Sequence, residues 1–368
     1  MSRTIPQETL RRAGRWLPLL LAGLLAGCGT LGYYYQSARG QLDLMCRAQD
    51  IDQVLEDDAT SPELKARLEQ VVEMRRFASE RLHLPDNDSY RDYADLEREF
   101  AIWNVFAAPE LSVEPHRWCF PIVGCVVYRG YFEERAARRY ADTLHEKGLE
   151  TFVAGVPAYS TIGWFDDPVV STIMHYPDTD LAGLIFHELA HQVAYAKGDS
   201  IFNESFATAV EIEGVERWLM DQGREDDVAA YRLRRQRDAA VVELILDYRR
   251  RLEEVYASTR DRAWKLDRKA VLIAELRERY EELVAAWNGY QGYRRWFEEE
   301  LNNAHFVVIA AYHDRVDAFQ ALLALSGGDL SQFYEKVREL ADQPADDRND
   351  YLDRLEAGAA APAKPTSG

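Results

Sequence analysis

The chain has 368 residues, of which 47% are hydrophobic and 29% are charged, and this composition excludes a mainly disordered protein. It carries 44 basic and 63 acidic side chains, so its formal net charge is −19. Phosphate backbones repel a chain of this charge, which argues against a nucleic-acid partner. Four cysteines are too few for a disulfide-based scaffold in a chain of this length.

The first residues have the features of an export signal. Arginines precede an apolar run at 19–26, which is too short to cross a bilayer comfortably. The run ends in Leu-Ala-Gly before Cys28, which resembles the lipobox of bacterial lipoproteins. The resemblance implies that residues 1–27 are removed, that Cys28 is acylated, and that the protein is anchored to the periplasmic face of the outer membrane. The alternative is a signal anchor that stays attached, with a chance cysteine.

Two of the remaining cysteines are close in sequence. Cys119 and Cys125 flank a segment in which Pro121 and Gly124 can bend the chain, and an exported protein meets an oxidising compartment. We therefore predict a disulfide between them, with two small buried thiols as the alternative. Cys46 has no obvious partner.

The hydrophobic pattern predicts an α+β protein that is mostly helical. Ser61 and Pro62 are typical of a helix start, and Gly148 of a helix end. In chain order the pattern predicts helices within 33–82, short strands within 103–131, a helix over 133–147, and strands over 151–154 and 158–164.

Beyond residue 180 nearly all of the sequence has a helical pattern. We predict one zincin-like domain over 28–356, in which a small mixed sheet packs against a helical half with a long helical hairpin. Its predicted parts are the sheet at about 100–170, two helices at about 180–222, a helical arm at about 224–290, and a disordered tail at 357–368.

One helical segment carries a chemical signature, His187-Glu188-Leu-Ala-His191. Residues four apart on a helix differ by about 400° of rotation and about 6 Å of rise, so the two imidazoles point the same way. Such a pair is typical of zinc ligands, and Glu188 can reach a water beside the ion without coordinating it. The alternative is two core histidines bonded to backbone carbonyls, with a capping glutamate.

A second segment supplies a candidate third ligand. Residues 203–211 resemble the N-E-x-F-A-x-x-x-E signature of the gluzincins, above all the zinc aminopeptidases of the thermolysin-like clan. In that clan the glutamate after the asparagine is the third ligand, so the resemblance implies that Glu204 binds the ion. It also places Asn203 and Glu211 behind the ligands, where Glu211 orients a histidine. A surface position for Glu211 is the alternative.

Helix geometry agrees with this ligand set. If the first helix ends near Lys197-Gly198 and the chain turns back, the Glu204 side chain can span the distance to His191. The interval between these ligands is shorter than in the best-known gluzincins. His175 is the alternative third ligand.

At a finer level the chain resembles the bacterial lipoprotein family named "putative aminopeptidase". The resemblance covers most of the chain after residue 27. It rests on the lipobox, the two zinc segments, and the segments at 32–35, 118–124, 128–132, 159–168 and 301–304 with Tyr312. It implies a peptidase with one Zn²⁺ ion and a peptide substrate.

The resemblance also implies catalytic roles. Glu188 would act as the general base, and Tyr312 as the oxyanion donor because tyrosine is the usual donor in this clan. His313 is the alternative donor. Asn302 and Asn303 are expected to line the cleft, or else to satisfy backbone groups.

A predicted edge strand before the zinc helix is the candidate substrate platform. In this clan the substrate backbone adds to such a strand, so Tyr159 and Gly163 are expected at the peptide. The glutamate motif that binds the free amine is absent, and Asp166 or Asp167 is the expected substitute, with a simple turn as the alternative.

The sequence therefore predicts a zinc peptidase, with aminopeptidase activity as its named form. An endopeptidase, a cell-wall amidase, and a non-enzymatic lipoprotein that holds zinc as an interaction module are the alternatives. The sequence does not determine the natural substrate, the physiological metal, the oligomeric state or the role of the helical arm.

Overall fold

The computed structural model describes residues 32–120, 124–158, 161, 165–313 and 315–359, with only the backbone at 311–313 and 359. The predicted signal peptide, Cys28 and residues 360–368 lie outside this part. The chain divides into two units, one ending at Arg47 and the other starting at Ala48. In the first unit, the described residues form helix α1 over 32–47.

The second unit is mostly helical. Its described helices are α2 (Ile51–Glu56), α3 (Pro62–Glu80), α4 (Glu134–His145), α5 (Asp178–Ala190), α6 (Ser200–Asp221), α7 (Glu225–Ala257), α8 (Arg262–Ala286), α9 (Arg294–Glu298), α10 (Asn303–His313), α11 (Val316–Leu325), α12 (Leu330–Ala341) and α13 (Ala345–Ala359). Among the described residues no helix is long and apolar enough to span a bilayer. Helix α13 extends past residue 356, into the predicted tail.

Short strands form three small sheets. The strands are β1 (Ala48–Asp50), β2 (Asp92–Ala94), β3 (Ile102–Pro109), β4 (Trp118–Phe120), β5 (Gly124–Val126), β6 (Tyr128–Tyr131), β7 (Leu149–Val156) and β8 (Val169–Val170). Antiparallel strands β6, β3 and β7 form one sheet, and β1, β2 and β8 form a mixed one, in which β2 and β8 are parallel. The fold is α+β and mostly helical, as the sequence predicts.

Several local predictions are confirmed. The Ser61 hydroxyl accepts from the backbone N–H of Leu64 at the start of α3. The strand predicted at 151–154 lies within β7. The strand predicted over 158–164 is not found at its described residues, since Ala158 and Thr161 are outside strands.

A disulfide joins β4 to β5. Cys119 and Cys125 lie opposite each other in this antiparallel pair, and their sulfur atoms are bonded. The start of β5 packs against the loop between α5 and α6, because a Cβ added at Gly124 would lie 2.9 Å from the backbone nitrogen of Gly198. Both glycines have φ of +82°, which disfavours residues with a Cβ.

The predicted helical arm is the antiparallel pair α7 and α8. The two helices pack through a buried apolar seam that also receives residues from α9 and α10, and most of their charges are solvated. The buried seam contains Val241, Ile245, Leu252, Leu272, Leu276, Tyr280, Phe297 and Phe306.

Helices α5 and α6 pack closely at two glycines. A Cβ at Gly183 would lie 3.0 Å from the side chain of Glu211, and one at Gly214 would lie 2.7 Å from the ring of Phe186. Helix α13 secures the start of α6, because Arg348 pairs with Asp199 at 2.7 Å, and Asp199 caps α6. The two glycines thus let α5 and α6 approach closely, and the ion pair holds the start of α6 against α13.

Candidate metal centre

The structure brings His187, His191 and Glu204 together. Each offers one ligand atom, and the three atoms lie within 4.8 Å of one another. One carboxylate oxygen of Glu204 lies 3.3 Å from Nε2 of His187 and 3.5 Å from Nε2 of His191. His187 lies in the last turn of α5, His191 caps that helix, and Glu204 lies in the second turn of α6.

The helix that carries the histidines is shorter than predicted. It ends at Ala190 rather than near residues 197–198. Beyond Ala190, backbone groups that would have formed helical hydrogen bonds are bonded to side chains from other parts of the chain instead. The Asn203 side chain accepts from Ala196 N–H at 2.7 Å and donates to Ala196 C=O at 3.0 Å, while Arg338 donates to the carbonyl of Val193. His191 keeps helical backbone angles, so the predicted alignment of the imidazoles is retained.

The separations between the Glu204 oxygen and the two imidazole nitrogens suit a zinc ion. Ligands about 2.1 Å from a tetrahedral ion are about 3.4 Å from each other, and the two measured separations are 3.3 and 3.5 Å. Two imidazole nitrogens and one carboxylate oxygen form the donor set of many hydrolytic zinc sites. These residues therefore fit such an ion.

The charges of the three groups depend on one another. Burial alone would raise the pKa of Glu204, but the adjacent histidines outweigh it and lower that pKa to about 2. Burial opposes protonation of His187, yet the carboxylates of Glu204 and Glu211 hold its pKa well above the usual value. The centre therefore concentrates negative charge at a position where imidazoles converge.

Glu211 lies behind the first histidine. Its carboxylate is 3.2 Å from Nδ1 of His187, on the opposite side of the ring from Glu204. An Nδ1–H donated to this carboxylate leaves the Nε2 lone pair facing the centre. Asn203 holds the loop between the ligands through Ala196 rather than contacting a histidine.

Glu188 lies beside the centre on α5. No hydrogen bond or ion pair joins its carboxylate to another described residue, although both histidines interact with it electrostatically. Burial raises the pKa of Glu188 against the opposing effect of the histidines. A half-buried carboxylate with these neighbours is suited to exchange a proton with a small molecule at the centre.

Other predicted site residues are distributed as follows. His175 is exposed, stacks edge-on with Tyr176, and is not part of the cluster. Tyr159 and Gly163 lie outside the described residues. Tyr312 and His313 lie on α10, which packs against α6, but their side chains are outside the described part.

For Asp167 the structure favours the turn that was the alternative to substrate binding. Its carboxylate accepts from the backbone N–H and hydroxyl of Thr161, and its carbonyl accepts from Tyr90 N–H. Because the Asp167 side chain is buried and bonded, it stabilises the turn before Pro168, which was the alternative. The adjacent Asp166 remains a candidate.

The structure also assigns Asn302 and Asn303 to backbone groups rather than to the cleft. Asn302 donates to the carbonyl of Thr151 and accepts from Ala304 N–H at the start of α10. Asn303 donates to the carbonyls of Pro109 and Glu110. Asn303 is buried and uses both amide hydrogens in this way, so it has no donor left for a substrate.

Four residues near the centre were missed by sequence reasoning. Tyr195 interacts electrostatically with Glu204, and Tyr231 and Tyr293 with Glu211. Burial raises the pKa of each phenol, so each hydroxyl stays protonated and able to donate. The positive charge of Arg235 favours the ionised forms of Tyr231 and Tyr293 and so opposes the effect of burial on their pKa. The buried Nε of Arg235 has no hydrogen-bond partner among the described residues. Of these four residues, only Tyr195 could have been suspected from the sequence, because it lies four residues after His191.

Comparisons with known proteins place the chain in a family. No curated protein and no solved structure matches it. A family model described as "Putative aminopeptidase" matches residues 32–352, which include the cluster and every helix from α2 to α12. The chain therefore belongs to the family described as putative aminopeptidases.

Proposed function

We propose that this protein is a zinc-dependent peptidase in which His187, His191 and Glu204 hold one Zn²⁺ ion. The observation that carries the proposal is the convergence of their three ligand atoms within 4.8 Å, with both separations from the Glu204 oxygen at the spacing of a tetrahedral site. Membership of the family supports peptide bonds as the bonds hydrolysed, and aminopeptidase activity as the named form.

The chain's own residues then have separate tasks. When bound, the ion would supply a Lewis acid that polarises the scissile carbonyl and acidifies water. Glu188 takes a proton from the attacking water and delivers it to the leaving nitrogen, since its carboxylate is not engaged by another described residue. Glu211 keeps the His187 ring oriented through Nδ1.

A tyrosine hydroxyl donates to the oxyanion in this proposal. Tyr312 is the donor that the gluzincin resemblance implies, and its helix packs against the one that carries Glu204. Tyr195 and Tyr293 are further candidates because each keeps its hydroxyl proton and interacts electrostatically with a carboxylate of the site, Tyr195 with Glu204 and Tyr293 with Glu211.

The Glu188→Gln variant tests the proposal. We expect it to retain one zinc per chain and to lose hydrolysis of a mixed peptide library by at least about a hundredfold, because the amide cannot accept the proton. The matched control is Glu216→Gln, whose carboxylate on α6 pairs with the exposed Arg232. Unchanged hydrolysis in Glu188→Gln contradicts the peptidase mechanism, and zinc without any hydrolysis in the wild type favours an interaction module.

The same experiment separates the forms of peptidase. Mass spectra of the library products show whether single residues leave the amino end, as expected of an aminopeptidase, or whether cuts are internal. Adding muropeptides to the panel tests the cell-wall amidase.

We also propose that the protein is acylated at Cys28 and held at the periplasmic face of the outer membrane. The lipobox-like sequence supports this location, and a disulfide between Cys119 and Cys125 suits an oxidising compartment. Mass spectrometry of the purified membrane form is expected to find lipid on Cys28. An unmodified thiol there contradicts the anchor.

A further inference from the structure

Helix α1 has an exposed apolar stripe along one face. At 100° per residue, six exposed residues fall within about 120° of the helix circumference. Tyr35 is 69% exposed, Leu42 61%, and Tyr34 and Met45 45% each. The stripe consists of Tyr34, Tyr35, Ala38, Leu42, Met45 and Cys46.

Isolated exposed apolar residues are ordinary, but a continuous stripe is not. The side chains combine two tyrosines, which suit a membrane interface, with a leucine and a methionine, which suit the acyl boundary. The helix is about 24 Å long at 1.5 Å per residue and carries charges beside the stripe, so it is suited to lie along a bilayer rather than to span it.

The charges beside the stripe favour a phospholipid surface. In a chain of net charge −19, α1 carries two arginines and one aspartate. Arg47 pairs with Asp43, whereas Arg39 is exposed and makes no ion pair with a described residue. An arginine at this edge can reach lipid phosphates while its methylenes cover apolar surface.

The position of α1 in the chain indicates that a membrane is the partner of the stripe. Only three residues separate Cys28, the proposed acylation site, from the first described residue of α1. Three extended residues span about 10 Å, so an acylated Cys28 would hold this helix within reach of the headgroups. We propose that the stripe of α1 inserts into the headgroup layer of a phospholipid bilayer and so fixes the protein at the membrane surface.

Cys46 provides the probe for the test. It is the free cysteine of the described residues, it is exposed, and it lies on the stripe. The full chain is reconstituted in phosphatidylcholine vesicles and labelled at Cys46 with an environment-sensitive fluorophore, with the labelled position verified by peptide mass spectrometry. The matched control is Asp43→Cys in a Cys46→Ser background, because Asp43 is exposed beside the stripe.

On vesicles we expect the probe at Cys46 to emit at a shorter wavelength and to be quenched by nitroxide carried on the lipid. We expect iodide in the water to quench the probe at Cys46 at least about threefold less than it quenches the probe at position 43. Tyr35→Asp with Leu42→Asp should remove this difference, since charges on the stripe oppose insertion. An unchanged cooperative urea-unfolding transition in that double variant shows that the second unit is folded.

Two outcomes overturn the proposal. Equal iodide quenching at positions 43 and 46 on vesicles places the stripe in water. Shielding of Cys46 that is the same with and without vesicles means that protein, such as a second copy, covers the stripe. Neither readout requires hydrolysis, so the result is independent of the proposed peptidase activity.

Discussion

At the scale of single residues, the chemistry of the centre depends on side chains that position the candidate ligands without being ligands themselves. Glu211 contacts His187 at Nδ1, and the absence of a Cβ at Gly183 leaves room for the Glu211 side chain beside α5. Asn203 fixes the loop that separates two of the ligands. The Glu211 contact controls which nitrogen of His187 carries the proton, and therefore whether the other nitrogen can bind a cation.

The first prediction concerns Glu211. We expect Glu211→Gln to weaken zinc binding by about tenfold to a hundredfold, because a neutral amide orients and polarises His187 less well than a carboxylate. Competition with a fluorescent chelator measures the affinity. Glu213→Gln on the same helix, which loses only an ion pair with Arg217, is the control and should bind zinc normally. Equal affinity in the two variants would show that Glu211 has no orienting role.

The second prediction concerns the oxyanion donor. We expect Tyr312→Phe to lower kcat by about a hundredfold with unchanged KM and zinc content, because the lost hydrogen bond exists only in the transition state. Tyr195→Phe and Tyr293→Phe are expected to lower kcat by less than about tenfold. Steady-state kinetics on one peptide compares the three. A large loss at Tyr195 or Tyr293, with none at Tyr312, transfers the role to that residue.

At the scale of elements, α10 is held on the sheet by polar groups that surround an apolar contact. Its Ala304 and Val307 pack on Phe106 of β3, and the ring of His305 lies over Phe152 of β7 at 4.1 Å between centroids. The Nε2 atom of His305 is buried and has no hydrogen-bond partner among the described residues. Protonation of this ring would bury a charge whose Nε2–H has no acceptor among the described residues.

The third prediction follows from this histidine. Burial lowers the pKa of His305 to about 4, below its value in an unfolded chain near 6.5. Because the depressed pKa belongs to the folded state, the associated stability is fully present above about pH 6.5 and is lost as the pH falls towards 4. We expect His305 to account for roughly 2–3 kcal/mol of the decrease in the free energy of unfolding over this range.

Urea unfolding at several pH values measures this decrease. His305→Phe keeps a ring over Phe152 but cannot titrate, so the difference between wild type and variant should change with pH in the stated direction. A difference that is constant between pH 7 and 4 would show that His305 is not the titrating group.

At the scale of the second unit, a buried polar network joins the helical arm to the sheet and to α10. Lys269 of α8 is 6% exposed and pairs with Glu150 of β7, and its ammonium also donates to the carbonyl of Glu110. The other oxygen of Glu150 accepts from Asn303 N–H at 2.7 Å, and Tyr256 of α7 donates to Asn303. The arm, β7 and α10 therefore share one set of hydrogen bonds.

The fourth prediction concerns this network. We expect Lys269→Met to lower the free energy of unfolding by about 3 kcal/mol, because Glu150 would remain partly buried without its cation. Arg251→Met, which breaks the more exposed pair with Glu275, should cost less than about 1 kcal/mol. Chemical denaturation compares the two variants. Equal losses would mean that the burial of Lys269 adds nothing to its ion pair.

The residues of the candidate site differ in how far the sequence could predict them. The spacing of His187, Glu188 and His191 fixes their common helix face, because helical rotation is a local property. Tyr293, Tyr231 and Arg235 lie far along the chain from these residues, and no periodicity relates them to the centre. The sequence left two roles open for Asp167, and the structure favours the turn role because packing brings Tyr90 N–H to the Asp167 carbonyl.

By itself, the sequence determined the mostly helical α+β class, the pairing of Cys119 with Cys125 as a prediction, and the helix face that His187 and His191 share. Each of these depends on residue type and spacing over a few turns of chain. Only the tertiary structure decided where α5 ends, that Glu211 contacts His187, and that Asn302 and Asn303 support α10. Those features depend on partners up to about two hundred residues away, which chain packing brings together and local spacing does not encode.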